Sequence, residues 1–206
     1  MSYRLKNVAA LTLPQVRKLE HAWLEARNVG CPLDTRVDIK PATDLSPIDA
    51  HRWFYQDWSW LGGWCRRNVG AFFAVATREC FPNSDGRGRH EHFHWLIHTG
   101  SDELREKLRE AWRNRRPGPR GVYLRKADYE YRIGPNGERG NALRYITKQR
   151  GNWQRGYGPE LSLLRVTIQR GGKVLGKRYK ISANLRAKPI DVAMPRPVRA
   201  ARSQGN

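Results

Sequence analysis

The sequence predicts an α+β domain: a central antiparallel sheet in βαββαβ order, with helices mainly on one face. Three observations carry this expectation. Segments with helical periodicity alternate with short runs rich in Val, Ile, Phe and Trp. Two of those runs flank a stretch of Pro, Asn, Asp and Gly, the mark of a hairpin. The order that results is strand, helix, strand, strand, helix, strand, which is that of a split βαβ sheet. At 206 residues and 23.9 kDa the chain has room for one such domain and a flanking segment at each end.

The elements follow in order. Residues 1–33 read as a helical N-terminal extension. In LPQVRKLEHAWLEARN, periodicity places Val16, Leu19, Trp23 and Leu24, with Ala26 nearby, on one face, and Gly30 and Pro32 end the helix. TRVDI (35–39) is the first strand. Ser46 then caps a helix, with Pro47 at its first position and Asp49 in its first turn. Phe54, Trp58, Leu61 and Cys65 form one stripe of this helix, and Trp53, Trp60 and Trp64 form another. Such stripes read as core rather than as a base-stacking surface. Gly62-Gly63 is expected to bend or end the helix. AFFAVATRE (71–79) is a buried strand, CFPNSDGRGR a turn, and HEHFHWLIH (90–98) the returning strand of the hairpin. Ser101 caps DELREKLREAWR, with acids in the first turn and Leu104, Leu108 and Trp112 facing the core. A basic loop (113–121) leads to the strand VYLRKA (122–127), and a short helix begins at Asn141. LSLLRVTIQRGGKVLGKRYKI reads as a hairpin turning at Gly171-Gly172. The domain is expected to span 34–188, with 189–206 a disordered basic tail.

Charge narrows the function classes. Lys plus Arg number 39 and Asp plus Glu 19, a net +20 with pI near 10.7. Residues 1–100 carry 13 basic and 10 acidic side chains (+3), and residues 101–206 carry 26 and 9 (+17). That asymmetry is the footprint of a polyanion binder, with nucleic acid the first candidate. No run approaches a membrane span, and no basic amphipathic helix with an apolar face stands out, so no membrane partner is expected. The opening residues turn polar too soon for a secretory signal. The three scattered cysteines form no CxxC pair, so a reducing, cytoplasmic setting is expected.

Four of the six histidines fall within nine residues: His90, His92, His94 and His98. On a strand, His92 and His94 share a face about 7 Å apart, while Phe93, Trp95 and Ile97 point to the core. Two imidazoles can meet one divalent ion. Glu79, at the end of the neighbouring strand, is the favoured third ligand, with Gln149 and His90 as rivals. Such a set suits Mn²⁺ or Mg²⁺ and leaves positions open for phosphate oxygens. The letters His90–His94 also fit HExxH, but that zinc pattern requires a helix. GGKVLGK (171–177) fits a phosphate loop until Arg178 replaces the required Ser or Thr.

His92-Phe93-His94 resembles the HUH motif, and Tyr145-Ile146-Thr147-Lys148 resembles its partner, YxxK on a helix. Together they make the chain similar to the HUH endonucleases over about residues 34–188. That family comprises rolling-circle replication initiators of plasmids and phages, with related transposases and relaxases, and the one tyrosine in the motif makes the chain resemble its single-tyrosine members. GKRYKISANL also resembles the basic segment that closes bacterial and phage initiator domains, whereas TRVDIKP departs from the family's Thr-rich first strand. The resemblance implies a ferredoxin- or RRM-like sheet and a divalent metal, Mn²⁺ or Mg²⁺. It further implies single-stranded DNA nicking and rejoining through a covalent 5′-phosphotyrosine at Tyr145. Lys148 would stabilise the phenolate or hold the phosphate. DNA contacts are expected from Arg113, Arg115, Arg116 and Arg120 on one loop, Arg144 on the tyrosine helix, and Arg150, Trp153 and Arg155 just after it. The implied partners are single-stranded DNA or an origin hairpin, and a host helicase or polymerase. The alternative from another class is a non-catalytic, RRM-like RNA or single-stranded DNA binder, which would carry paired aromatics where the histidines stand.

Overall fold

The computed structural model describes residues 7–8, 10–40, 45–82, 89–115, 122–127, 132–133, 139–140, 142–147 and 174–186. Its strands are β1 (Asn7–Val8), β2 (Thr35–Ile39), β3 (Ala74–Pro82), β4 (Arg89–Ile97), β5 (Val122–Lys126), β6 (Arg132–Ile133), β7 (Arg139–Gly140), β8 (Val174–Leu175) and β9 (Tyr179–Ile181). Its helices are α1 (Leu13–Asn28), α2 (Pro47–Asn68), α3 (Asp102–Arg115) and the short α4 (Ala142–Ile146). The architecture is α+β. Five strands form one antiparallel sheet in the order β5-β2-β4-β3-β9.

Local chemistry starts the helices where the sequence marks them. The Gln15 side chain accepts from the Thr12 N–H ahead of α1. Ser46 Oγ accepts from the Asp49 N–H at the start of α2, and Ser101 Oγ from the Leu104 N–H at α3. Gly30, at φ +75°, supplies the left-handed turn after α1. The Gly62-Gly63 pair does not end α2, which continues to Asn68. The Phe72 ring comes within 3.1 Å of where a Gly62 Cβ would stand, so this glycine serves close packing rather than a break.

Both faces of the sheet are covered, rather than mainly one. On the first face, Val37, Ile39, Ala76, Phe93, Trp95 and Ile97 pack with Phe54, Leu61 and Trp64 of α2 and with Leu108 and Trp112 of α3. On the second, Val75 and Leu96 pack with Val16, Leu19, Ala22 and Trp23 of α1 and with Leu143 and Ile146 of α4. The reason is the strand alternation itself, which gives β3 and β4 apolar residues on both sides at one end. Leu24, expected on the buried face of α1, is 47% exposed. Tilting the helix toward Trp23 and Ala26 leaves it outside.

The segment 161–173 of the expected second hairpin lies outside the described residues, as does the tail 189–206. Of the strands just after it, β8 pairs with β1, and β9 with β3. A buried ion pair secures that arrangement. The Arg78 guanidinium donates to Glu91 at 2.6 and 2.9 Å and to the Leu175 carbonyl at 2.5 Å. Arg178 donates to the Arg78 carbonyl at 3.0 Å. Burial raises the Glu91 pKa and outweighs the opposing pull of Arg78. Among the described residues no helix is long and apolar enough to cross a membrane.

Candidate active site

The second face of the sheet becomes polar at its other end. In the antiparallel register Asp38 stands opposite His94 on β4, Thr77 stands opposite His94 from the other side, and Glu79 stands opposite His92. Alternation therefore puts Arg36, Asp38, Thr77, Glu79, His92 and His94 on one face. The His92 and His94 rings are 6.3 Å apart between centroids.

His94 is buried between two carboxylates. Its Nδ1 lies 2.6 Å from Asp38 Oδ1, and its Nε2 lies 2.8 Å from Glu79 Oε2. Asp38 also accepts from Arg36 Nε at 3.0 Å and from Arg125 at 2.8 Å, and a terminal nitrogen of Arg36 sits 2.8 Å from its Oδ2. Burial alone would raise the Asp38 pKa. The hydrogen bonds and charges of His94 and Arg36 together outweigh it and hold the carboxyl well below its ordinary range. An ionised carboxylate only accepts, so Nδ1 of His94 carries a proton. On the other side one proton lies between Nε2 and Glu79. On nitrogen it makes an imidazolium between two carboxylates; on oxygen it leaves the Nε2 lone pair available.

This arrangement fits a divalent ion in its donor chemistry. An imidazole nitrogen and a carboxylate oxygen face each other across a single proton that an ion can replace. Asp38 fixes the tautomer from behind, as outer carboxylates do for metal-bound histidines. His92, half-buried and opposite Glu79, supplies a second imidazole on the same face. As the side chains stand, no group of three or more His, Cys, Asp or Glu among the described residues is arranged to hold a metal ion.

Helix α4 carries Tyr145 to this face. Leu143 and Ile146 are buried against the sheet, and Thr77 Oγ1 donates to the Ile146 carbonyl at 2.6 Å. Tyr145 is left 37% exposed and packs T-shaped against His94, with ring centroids 5.1 Å apart and planes at 90°. The Arg36 guanidinium lies over its face, 3.2 Å from the ring centroid.

His92, His94, Glu79 and Tyr145 thus come together. Arg115 does not join them. It is paired with Asp57 at 3.2 Å and lies over the Trp60 ring, on the α2–α3 side of the sheet. Arg113 is exposed near the end of the same helix. Arg116, Arg120, Lys148, Gln149, Arg150, Trp153 and Arg155 lie outside the described residues, as do the side chains of His90 and Arg144. Sequence reasoning missed Arg36, Asp38, Thr77 and Arg125. The signal was present in TRVDI, where Arg36 and Asp38 alternate with Val37 and Ile39 and so share the opposite face of the strand.

No protein-family model, curated protein or solved structure matches the chain.

Proposed function

We propose that the protein is a metal-dependent enzyme that nicks and rejoins single-stranded DNA, with Tyr145 as the nucleophile. The observation that carries the reading is the meeting of Tyr145 with His94, 5.1 Å between ring centroids, on the sheet face shared by His92 and Glu79. The strand order β5-β2-β4-β3, joined through α2 and α3, supports reading the core as a βαββαβ, ferredoxin-like sheet. The net charge of +20 supports a polyanionic substrate. The biological role we assign is initiation of rolling-circle replication of a plasmid or phage, with a host helicase or polymerase acting after the nick.

His92, His94 and Glu79 would hold the ion, Mn²⁺ or Mg²⁺. When bound, it supplies neutralisation of the scissile phosphate. Asp38 keeps the Nδ1 proton of His94 in place. The phenolic oxygen of Tyr145 forms a bond to phosphorus as the bond to the 3′ oxygen breaks. The phenol loses its proton and the 3′ oxygen gains one, leaving a 5′-phosphotyrosine and a free 3′-OH. Because the phosphoester bond is exchanged rather than hydrolysed, the reverse step rejoins the strand. Lys148, three residues on from Tyr145, is assigned to the phenolate or the phosphate by that spacing.

The test is incubation with labelled single-stranded oligonucleotides and Mn²⁺. A protein–DNA adduct that survives denaturant should form, Tyr145→Phe should form none, and the half-buried His92→Ala should lose metal-dependent cleavage. Adduct from Tyr145→Phe at the parent level would remove the nucleophile. One observation favours a second reading, a single-stranded nucleic-acid binder without cleavage: both ring nitrogens of His94 already face carboxylates. Under that reading the oligonucleotide binds and neither adduct nor Mn²⁺ binding is found.

A further inference from the structure

Arg36 occupies the middle of the sheet, on a strand paired on both sides, and is only 8% exposed. A buried guanidinium is costly unless paired, and this one has two partners of different kinds. Two of its nitrogens face the two oxygens of Asp38, Nε at 3.0 Å and a terminal nitrogen at 2.8 Å. Its Cζ lies over the Tyr145 ring, 3.2 Å from the centroid. A lysine could supply the charge but not an Nε donor directed at Asp38 Oδ1 while the cation stays over the ring.

We propose that Arg36 is the positioning residue for Tyr145, clamping the phenol ring in place beside His94. The functional meaning of the clamp rests on the nicking reading above. Tyr145 is more than one-third exposed, so packing covers only part of its ring. The guanidinium restrains the ring from above its face, and His94 packs against it in a T-shaped contact. Both restraints lead back to Asp38, which accepts from Arg36 and from His94 Nδ1 through the same oxygen, Oδ1. One carboxylate therefore sets the ring of the nucleophile and the imidazole of the ion site relative to each other. Held geometry of this kind accelerates a displacement by proximity, without touching the reacting atoms.

The experiment combines a structural and a kinetic measurement. 3-Fluorotyrosine is incorporated at position 145, and its ¹⁹F resonance is recorded in the full-length protein, in Arg36→Gln and in Arg36→Lys. The parent resonance should be shifted from the free amino acid by the overlying cation and ring. Arg36→Gln should return it toward the free value, and Arg36→Lys should lie between. In parallel, adduct formation at saturating oligonucleotide with Mn²⁺ should slow on the order of 100-fold in Arg36→Gln. Non-covalent affinity for the same strand, measured in the Tyr145→Phe background, should change less than about two-fold, a split that a general loss of structure would not give. An unshifted resonance in Arg36→Gln, or an adduct rate equal to the parent's, overturns the clamp. If the parent forms no adduct at all, the nicking reading fails and the resonance alone decides the clamp. If Arg36→Gln does not fold, Arg36→Lys decides it: the parent resonance and the parent rate together would refute the proposal.

Discussion

Asp38 meets Arg36, Arg125 and the His94 ring at once, and the two guanidinium groups alone exceed what one carboxylate can neutralise. Glu79 restores part of the balance on the far side of His94. Such a cluster has no packing rationale in a strand that could have carried Val or Ile, and it lies where Tyr145 arrives. Lys180 presents a simpler case. Its ammonium lies 4.1 Å from the centroid of the Tyr55 ring. Burial first, then the neighbouring charges of Arg186 and Lys177, push its pKa down to about 8 from 10.5. Between those values the unfolded chain holds a proton that the folded protein has released, so stability rises with pH through this window. In Lys180→Met that contribution is gone. The melting temperature of the parent should therefore gain on that of the variant as pH rises from 7 to 10, and a constant difference would contradict the assignment.

At the scale of the element, α2 offers a paired experiment. Alanine is favoured over glycine inside a helix by roughly 0.5–1 kcal/mol. At Gly63 an added methyl meets only the end of the Arg67 side chain at 3.4 Å, so Gly63→Ala should raise the melting temperature. At Gly62 it meets two carbons of the Phe72 ring at 3.1 and 3.2 Å, so Gly62→Ala should lose that gain or lower the temperature. Scanning calorimetry of the two variants checks both. This pair also shows where sequence reading runs out. Ser46, Pro47 and Asp49 marked the start of α2 correctly, because capping is local chemistry. Gly62-Gly63 resembled an end because the ring that explains it comes from Phe72, beyond the helix. In the same way TRVDI could be read as a strand, and His92, His94 and Glu79 as neighbours across a hairpin. The pairing of Asp38 with His94 needed a contact between residues 56 apart, which no local pattern encodes. The second covered face was hidden for a related reason: α1, read as an extension, packs on Val75 and Leu96.

For the whole molecule, charge is the governing quantity. The +17 of residues 101–206 against the +3 of residues 1–100 makes the proposed association with nucleic acid an electrostatic one. If about six phosphates are engaged, affinity for a single strand should fall on the order of 300-fold between 50 and 200 mM salt. A titration of a fluorescent oligonucleotide over that range gives the slope directly. A flat response would mean that the excess of arginine and lysine serves some purpose other than holding a polyanion.

The bond from the Thr77 hydroxyl to the carbonyl of Ile146 has a dynamic consequence. Alone in water, a five-residue helix would melt and re-form continually. Spliced by that hydroxyl to a strand near the middle of the sheet, it can open only when the strand opens. Slow deuterium uptake at the amide of Thr147, which bonds back to Leu143 at 3.1 Å, should therefore keep pace with the amides of β3 rather than with frayed ends. Replacing Thr77 by valine should uncouple the two clocks, quickening exchange at Thr147 while β3 stays protected.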